Sequence, residues 1–208
     1  GGTVSDVASF TGYNSGSTGK VTVDGAGSTW TNAGTLYMAY QGDGELIIRD
    51  GGKVSNIDGY IGVIAGSSGK VTVEGAGSGW TNAGALYMAN QGDGELIIEN
   101  GGKVSNTTGY IGYSTGSSGK VTVDGAGSGW TNTQGLTVGN SGDGELIIKN
   151  GGMVSDTVSV IGFGPDSTGK VIVDGTGSGW TNTGALYVGL GGEGTLTISN
   201  KGVADASA

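Results

Sequence analysis

The sequence predicts an all-β chain wound into a parallel β-helix of about eight rungs from four 50-residue repeats, and three observations carry that prediction. Motifs return every 50 residues, so that Gly51-Gly52-Lys53-Val54-Ser55 reappears as Gly101-Gly102-Lys103-Val104-Ser105, and Ser78-Gly79-Trp80-Thr81-Asn82 as Ser128-Gly129-Trp130-Thr131-Asn132. Each repeat holds two similar halves, because Gly69-Lys70-Val71-Thr72-Val73-Glu74 aligns with Gly94-Glu95-Leu96-Ile97-Ile98-Glu99 at a shift of 25. Forty-nine glycines punctuate alternating Val, Ile and Leu segments, the pattern of short strands between tight corners. Stacked units are then the unit of folding, and every residue belongs to a column of equivalents.

Taken in order, a 25-residue half reads as three strands, for example Lys53 to Ser55, Tyr60 to Val63 and Lys70 to Glu74, each followed by a glycine-rich corner. Three strands and three turns make one rung, and eight rungs at ~4.8 Å each give a rod of roughly 38 Å. The first strand supplies an inward column in which Trp30, Trp80, Trp130 and Trp180 alternate with Val4, Val54, Val104 and Val154. In a narrow, glycine-rich cylinder these indoles read as core filler. Two residues on, Asp6, Asn32, Asn56, Asn82, Asn106, Asn132, Asp156 and Asn182 form a column expected to hydrogen-bond from rung to rung and to satisfy turn backbone.

The third strand opens on Lys20, Glu45, Lys70, Glu95, Lys120, Glu145, Lys170 and Thr195, an alternation of sign that would pair opposite charges on neighbouring rungs. Val21, Leu46, Val71 and Leu96, with their counterparts up to Leu196, face inward, as do Val23, Ile48, Val73 and Ile98 up to Ile198. Between them lies an outward, semi-apolar column, Thr22, Ile47, Thr72, Ile97, Thr122, Ile147, Ile172 and Thr197, flanked by charges. A four-bladed propeller is the rival architecture, since ~50 residues is also a blade period. Its antiparallel blades give no reason for the two halves to match strand for strand.

Composition narrows the function. The 208 residues read as a single domain, 1–208, with repeats at 1–50, 51–100, 101–150 and 151–200. One proline and no three-residue glycine period exclude collagen. A net charge of −9, from eighteen acids against eight lysines and Arg49, repels phosphate backbones, so nucleic acid is not an expected partner. Without cysteine or histidine there are no disulfides, no thiolate metal sites and no imidazole base. Neither a metal site nor a cofactor is predicted. No stretch approaches the ~18 apolar residues of a spanning helix. Because Gly1-Gly2 already stands in the place of Gly51-Gly52, any secretion signal is expected to have been cut away.

The motif Gly42-Asp43-Gly44-Glu45 and its copies at 92–95 and 142–145 invite comparison with calcium-binding β-rolls. Those need ligands every nine residues, whereas here two coils, about 10 Å, would separate successive carboxylates. A turn aspartate is the better reading. Departures from the repeat, at Arg49, Gln134 and Gly162-Phe163-Gly164-Pro165-Asp166, are scattered and form no acidic cluster of the kind a polysaccharide-cleaving β-helix uses, so no enzyme is predicted. The remaining feature is an outward column on the middle strand, Phe10, Tyr37, Tyr60, Tyr87 and Tyr110, then Thr137, Val160 and Tyr187. Such a stripe is either a stacking ladder that stiffens the sheet or a contact surface for sugars or a second protein.

The run Gly94-Glu95-Leu96-Ile97-Ile98 through Gly101-Gly102-Lys103-Val104-Ser105, Ile111-Gly112 and Gly116-Ser117-Ser118-Gly119-Lys120-Val121-Thr122-Val123 to Ser128-Gly129-Trp130 resembles the repeat of bacterial autotransporter passengers, and the resemblance extends over the chain. It implies a right-handed β-helix secreted by the type V route and displayed outside the outer membrane of a Gram-negative cell, of the adhesin or self-associating group. The implied partner is a host surface receptor or glycan, or a second copy of the chain. Membrane attachment is implied only through a β-barrel domain that these residues do not contain. The resemblance brings no catalytic residues. Absence of cysteine suits export through a narrow pore, and neighbour-only contacts suit folding rung by rung. The alternative function is a passive stalk that presents a distal binding domain.

Overall fold

A computed structural model describes residues 1–206. Residues 207 and 208, which complete the expected domain, lie outside the described residues. The chain winds through eight turns of parallel strands and closes on the first strand of a ninth, Val203–Ala206. Rung three illustrates the plan with strands Lys53–Asn56, Gly59–Ile61 and Ser68–Glu74, and rung four repeats it with Gly79–Asn82, Leu86–Met88 and Asp93–Glu99. The middle strand is shorter than the sequence pattern indicates, since Gly62, with φ of +66°, turns the chain before Val63.

The third strands form one eight-stranded sheet, each paired only with the rungs before and after it. First and middle strands together form a fifteen-stranded sheet. They join because two rungs run straight through the corner, as Lys103–Ile111 and Gly129–Val138. In those rungs Thr107-Thr108 and Thr133-Gln134 stand where other rungs place pairs such as Ile57-Asp58 or Ala83-Gly84. Replacing Gly84 and Asp58 types with Gln and a β-branched residue favours extended backbone over a break.

The corner after the third strand is built in two ways. Odd rungs use Gly25-Ala26-Gly27 and its copies, whereas even rungs use Asp50-Gly51, Asn100-Gly101 and Asn150-Gly151, with Asn200-Lys201 in rung eight, both residues left-handed and φ near +52° and +89° in the first. Asp, Asn and Gly are the residues that tolerate this region. The buried hydroxyls of Ser78, Ser128 and Ser178 then accept the N–H groups of Gly51, Gly101 and Gly151, each at 3.0 Å.

The core follows the predicted columns. Val71, Val73, Leu96 and Ile98 are fully buried and Trp80 is 1% exposed, with Trp80 in register between Val54 and Val104. Only where no further rung covers them do the columns open: Val4 is 56% and Ile198 49% exposed. On the outside, the sign alternation forms ion pairs, Lys20 to Glu45 at 2.6 Å, Lys70 to Glu95 at 2.9 Å and Lys120 to Glu145 at 3.0 Å. Lys170 approaches the same Glu145 at 2.9 Å, and its hydrogen bond, with that of Lys120, holds the Glu145 carboxyl below the usual carboxylate range.

The asparagine column differs from a continuous ladder. It works in pairs, Asn56 Nδ2 donating to Asn82 Oδ1 and Asn106 Nδ2 to Asn132 Oδ1, each at 2.6 Å. The other partner is the core indole, as Trp80 Nε1 donates to Asn56 Oδ1 and Trp130 Nε1 to Asn106 Oδ1 at 2.7 Å. Turn backbone is reached by Asn182, whose Oδ1 accepts the Gly184 N–H. The reason lies in the Trp/Val alternation: an indole beside every second amide takes the acceptor that an unbroken ladder would need. Where the column carries Asp156, Ser159 replaces the glycine of Gly59 and Gly109, and the carboxylate accepts from Ser159 Oγ, Trp180 Nε1 and Asn182 Nδ2. Asp6 accepts from Ser9 and Trp30 in the same way.

Candidate functional site

The middle strands place the aromatic column on the outer surface of the fifteen-stranded sheet. Inward Leu86 and Met88, both fully buried, flank half-buried Tyr87, so strand alternation turns the phenol outward. Parallel pairing in register sets Phe10 beside Tyr37, Tyr37 beside Tyr60, Tyr60 beside Tyr87 and Tyr87 beside Tyr110. Strand spacing is close to the thickness of a stacked ring pair, and the rings stack: centroids lie 4.7, 5.4, 4.5 and 5.0 Å apart along the column, with interplanar angles of 9 to 23°.

A second tier, not anticipated from the sequence, completes the surface. Tyr13 and Tyr40 stack on each other at 5.4 Å and meet Phe10 edge-on, while Tyr113 stands edge-on to Tyr87 at 4.9 Å and Tyr110 at 5.2 Å. Its sequence signal is a tyrosine three residues after Phe10, Tyr37 and Tyr110, a spacing that crosses the strand end and so escapes the two-residue alternation. The predicted column is itself divided. Thr137 and Val160 follow Tyr110 in register, and Tyr187 lies beyond them, 45% exposed, outside the five-ring stack.

Stacking decides what the surface offers. Neighbours cover both faces of Tyr37, Tyr60 and Tyr87, leaving ring edges and hydroxyls as the accessible parts. Burial pushes the Tyr87 phenol up to about 12, with the neighbouring phenols Tyr60 and Tyr110 adding to the shift, and burial followed by Asp58 raises Tyr60. Tyr60 and Tyr87 therefore present neutral hydroxyl donors at physiological pH. A sugar ring seeking a free aromatic face finds one only at the ends of the stack; an edge-on apolar contact with hydroxyl hydrogen bonds is possible along its length.

Elsewhere the polar groups are dispersed. In register, Ser68 stands between Asp43 and Asp93, and no group of three or more His, Cys, Asp or Glu side chains comes together among the described residues. A concavity at the open first rung, lined in part by Val4, Val21, Val23 and Trp30, is the uncovered end of the core. Comparison with protein-family models, with curated proteins and with solved structures finds no match to this chain.

Proposed function

We propose that the chain is part of a non-enzymatic, cell-surface passenger of the autotransporter kind, displayed outside a Gram-negative outer membrane, that attaches through the aromatic side of its β-helix. The partner is a host surface receptor or glycan, or an identical helix on another cell. The observation that carries this reading is the half-exposed ladder of Phe10, Tyr37, Tyr60, Tyr87 and Tyr110 with its flanking tier. A solvated exterior needs no such stripe, whereas interfaces concentrate tyrosine. A rod that repeats the contact along its length also multiplies weak attachments.

The test replaces Tyr37, Tyr60, Tyr87 and Tyr110 with Ser in displayed protein and measures cell clumping and attachment, with circular dichroism to verify folding. Each ring removed from a desolvated contact costs ~1–2 kcal/mol, so the quadruple variant is expected to lose attachment. The passive stalk is the second reading, and the stacking itself favours it, since rings in register stiffen a sheet without any partner. Under that reading the variant melts earlier and attaches as before.

A further inference from the structure

The outer face of the eight-stranded sheet carries a pattern that contacts within one chain do not explain. Its third strands pair without a register shift, so the columns beginning at Lys20, Thr22 and Asp24 run straight along the rod. On six of the seven rungs where both outer columns are charged, the two charges are opposite, as in Lys20 with Asp24, Glu45 with Arg49 and Lys120 with Asp124, and only Glu95 with Glu99 breaks the rule. Ion pairs between neighbouring rungs, such as Arg49 to Asp24 at 2.8 Å, account for alternation down a column. They do not fix the phase of one column against the other, because four residues of strand separate the two by about 13 Å. Between them runs the Thr/Ile seam, with Ile47, Ile97 and Ile147 half-buried.

We propose that this face binds a second copy of the same chain, the two rods side by side and parallel, about a two-fold axis that lies over the Thr/Ile seam and along the rod. That operator keeps every rung opposite itself and exchanges the flanking columns. Lys120 of one copy then meets Asp124 of the other, Glu145 meets Lys149, and Ile97 meets Ile97. An apolar seam with charged rims of opposite sign has the anatomy of an isologous interface. The face spans about 38 by 23 Å, on the order of 800 Å² per copy, which is the size of a stable protein contact. An antiparallel arrangement also brings most rim charges against opposite ones, as Lys70 against Glu145, but it sets Ile97 against Thr122 and Thr72 against Ile147, so the isoleucines meet their own kind along the seam only in the parallel one. This dimer uses the sheet that does not carry the aromatic ladder, and it stands or falls independently of attachment through that ladder.

Sedimentation equilibrium of the purified chain over a range of concentrations tests the proposal. Lys70→Glu with Lys120→Glu places like charges together at four symmetry-related contacts and is expected to weaken the dimer at least about 100-fold. Adding Glu74→Lys and Asp124→Lys restores opposite signs on the same rungs and is expected to return the dimer, with thermal melts showing all variants folded. Because the chain lacks cysteine, Thr122→Cys gives a clean second readout: on the axis it cross-links to itself under mild oxidation. A chain that stays monomeric, a dimer not restored by the charge exchange, or cross-linking only in mixtures of Thr122→Cys with Ile97→Cys overturns the proposal.

Discussion

Removing one core amide exposes how much the stack depends on its paired polar column. Asn56 is 4% exposed; it accepts from the Trp80 indole at 2.7 Å and donates to Asn82 Oδ1 at 2.6 Å. Asn56→Ala leaves an indole N–H and an amide oxygen without partners in a site closed to water, at roughly 1–3 kcal/mol each, so a loss of about 3–4 kcal/mol is expected. Against a typical domain stability of ~5–15 kcal/mol that is a large fraction. Lys70→Ala is the control. It removes the 2.9 Å pair with Glu95, whose side chains are 46% and 39% exposed, and an exposed pair contributes only ~0–1 kcal/mol. Urea unfolding followed by tryptophan fluorescence suits the measurement, since all four indoles sit in the core. An Asn56→Ala midpoint no lower than that of Lys70→Ala would refute the assignment of this column to the energetics of the core.

Two further expectations concern pH. Tyr87 loses its proton near 10.0 when unfolded and only at about 12 when folded, so the folded state holds the proton longer and stability falls as pH rises through that interval; thermal melts of Tyr87→Phe should show a shallower alkaline decline, and equal slopes would contradict the burial of this phenol. Asp156 is raised above 3.8 because burial outweighs its hydrogen bonds from Ser159, Trp180 and Asn182, so its contribution is most favourable below 3.8 and is lost as pH rises through the folded value. The parent should therefore lose stability relative to Asp156→Asn as pH rises through that value, the variant lacking this step, and thermal-melt profiles that stay parallel across the interval would count against the raised carboxylate.

The sequence was most legible where a column is fixed by backbone spacing. A shift of 25 places Lys70 beside Glu95 and one of 26 places Trp80 beside Val54, and parallel in-register stacking realises both. Phe10, Tyr37, Tyr60, Tyr87 and Tyr110 were readable as one outward column for the same reason. What the sequence hid depends on side-chain chemistry across that framework. Asn56 could have bonded up, down or to backbone; the nearby indole decides, and no periodicity records that choice. Tyr13, Tyr40 and Tyr113 sit past the strand ends, where glycines such as Gly112 with φ of +67° rotate the chain, so alternation assigns them no direction. The straightening of rungs five and six at Thr108 and Gln134 is a competition between extended and bent corners that single residues tip.

The strands lie across the rod, so the backbone hydrogen bonds that join its rungs point along it. Tension applied between the two ends therefore loads these bonds one rung at a time, by peeling, rather than all together in shear. Each rung that yields releases 25 residues, about 85 Å of contour, in place of ~4.8 Å of rod. If the chain tethers a cell as proposed, the filament gains slack in discrete steps while the remaining rungs keep their contacts, and it lengthens before the attachment at its far end is loaded to breaking.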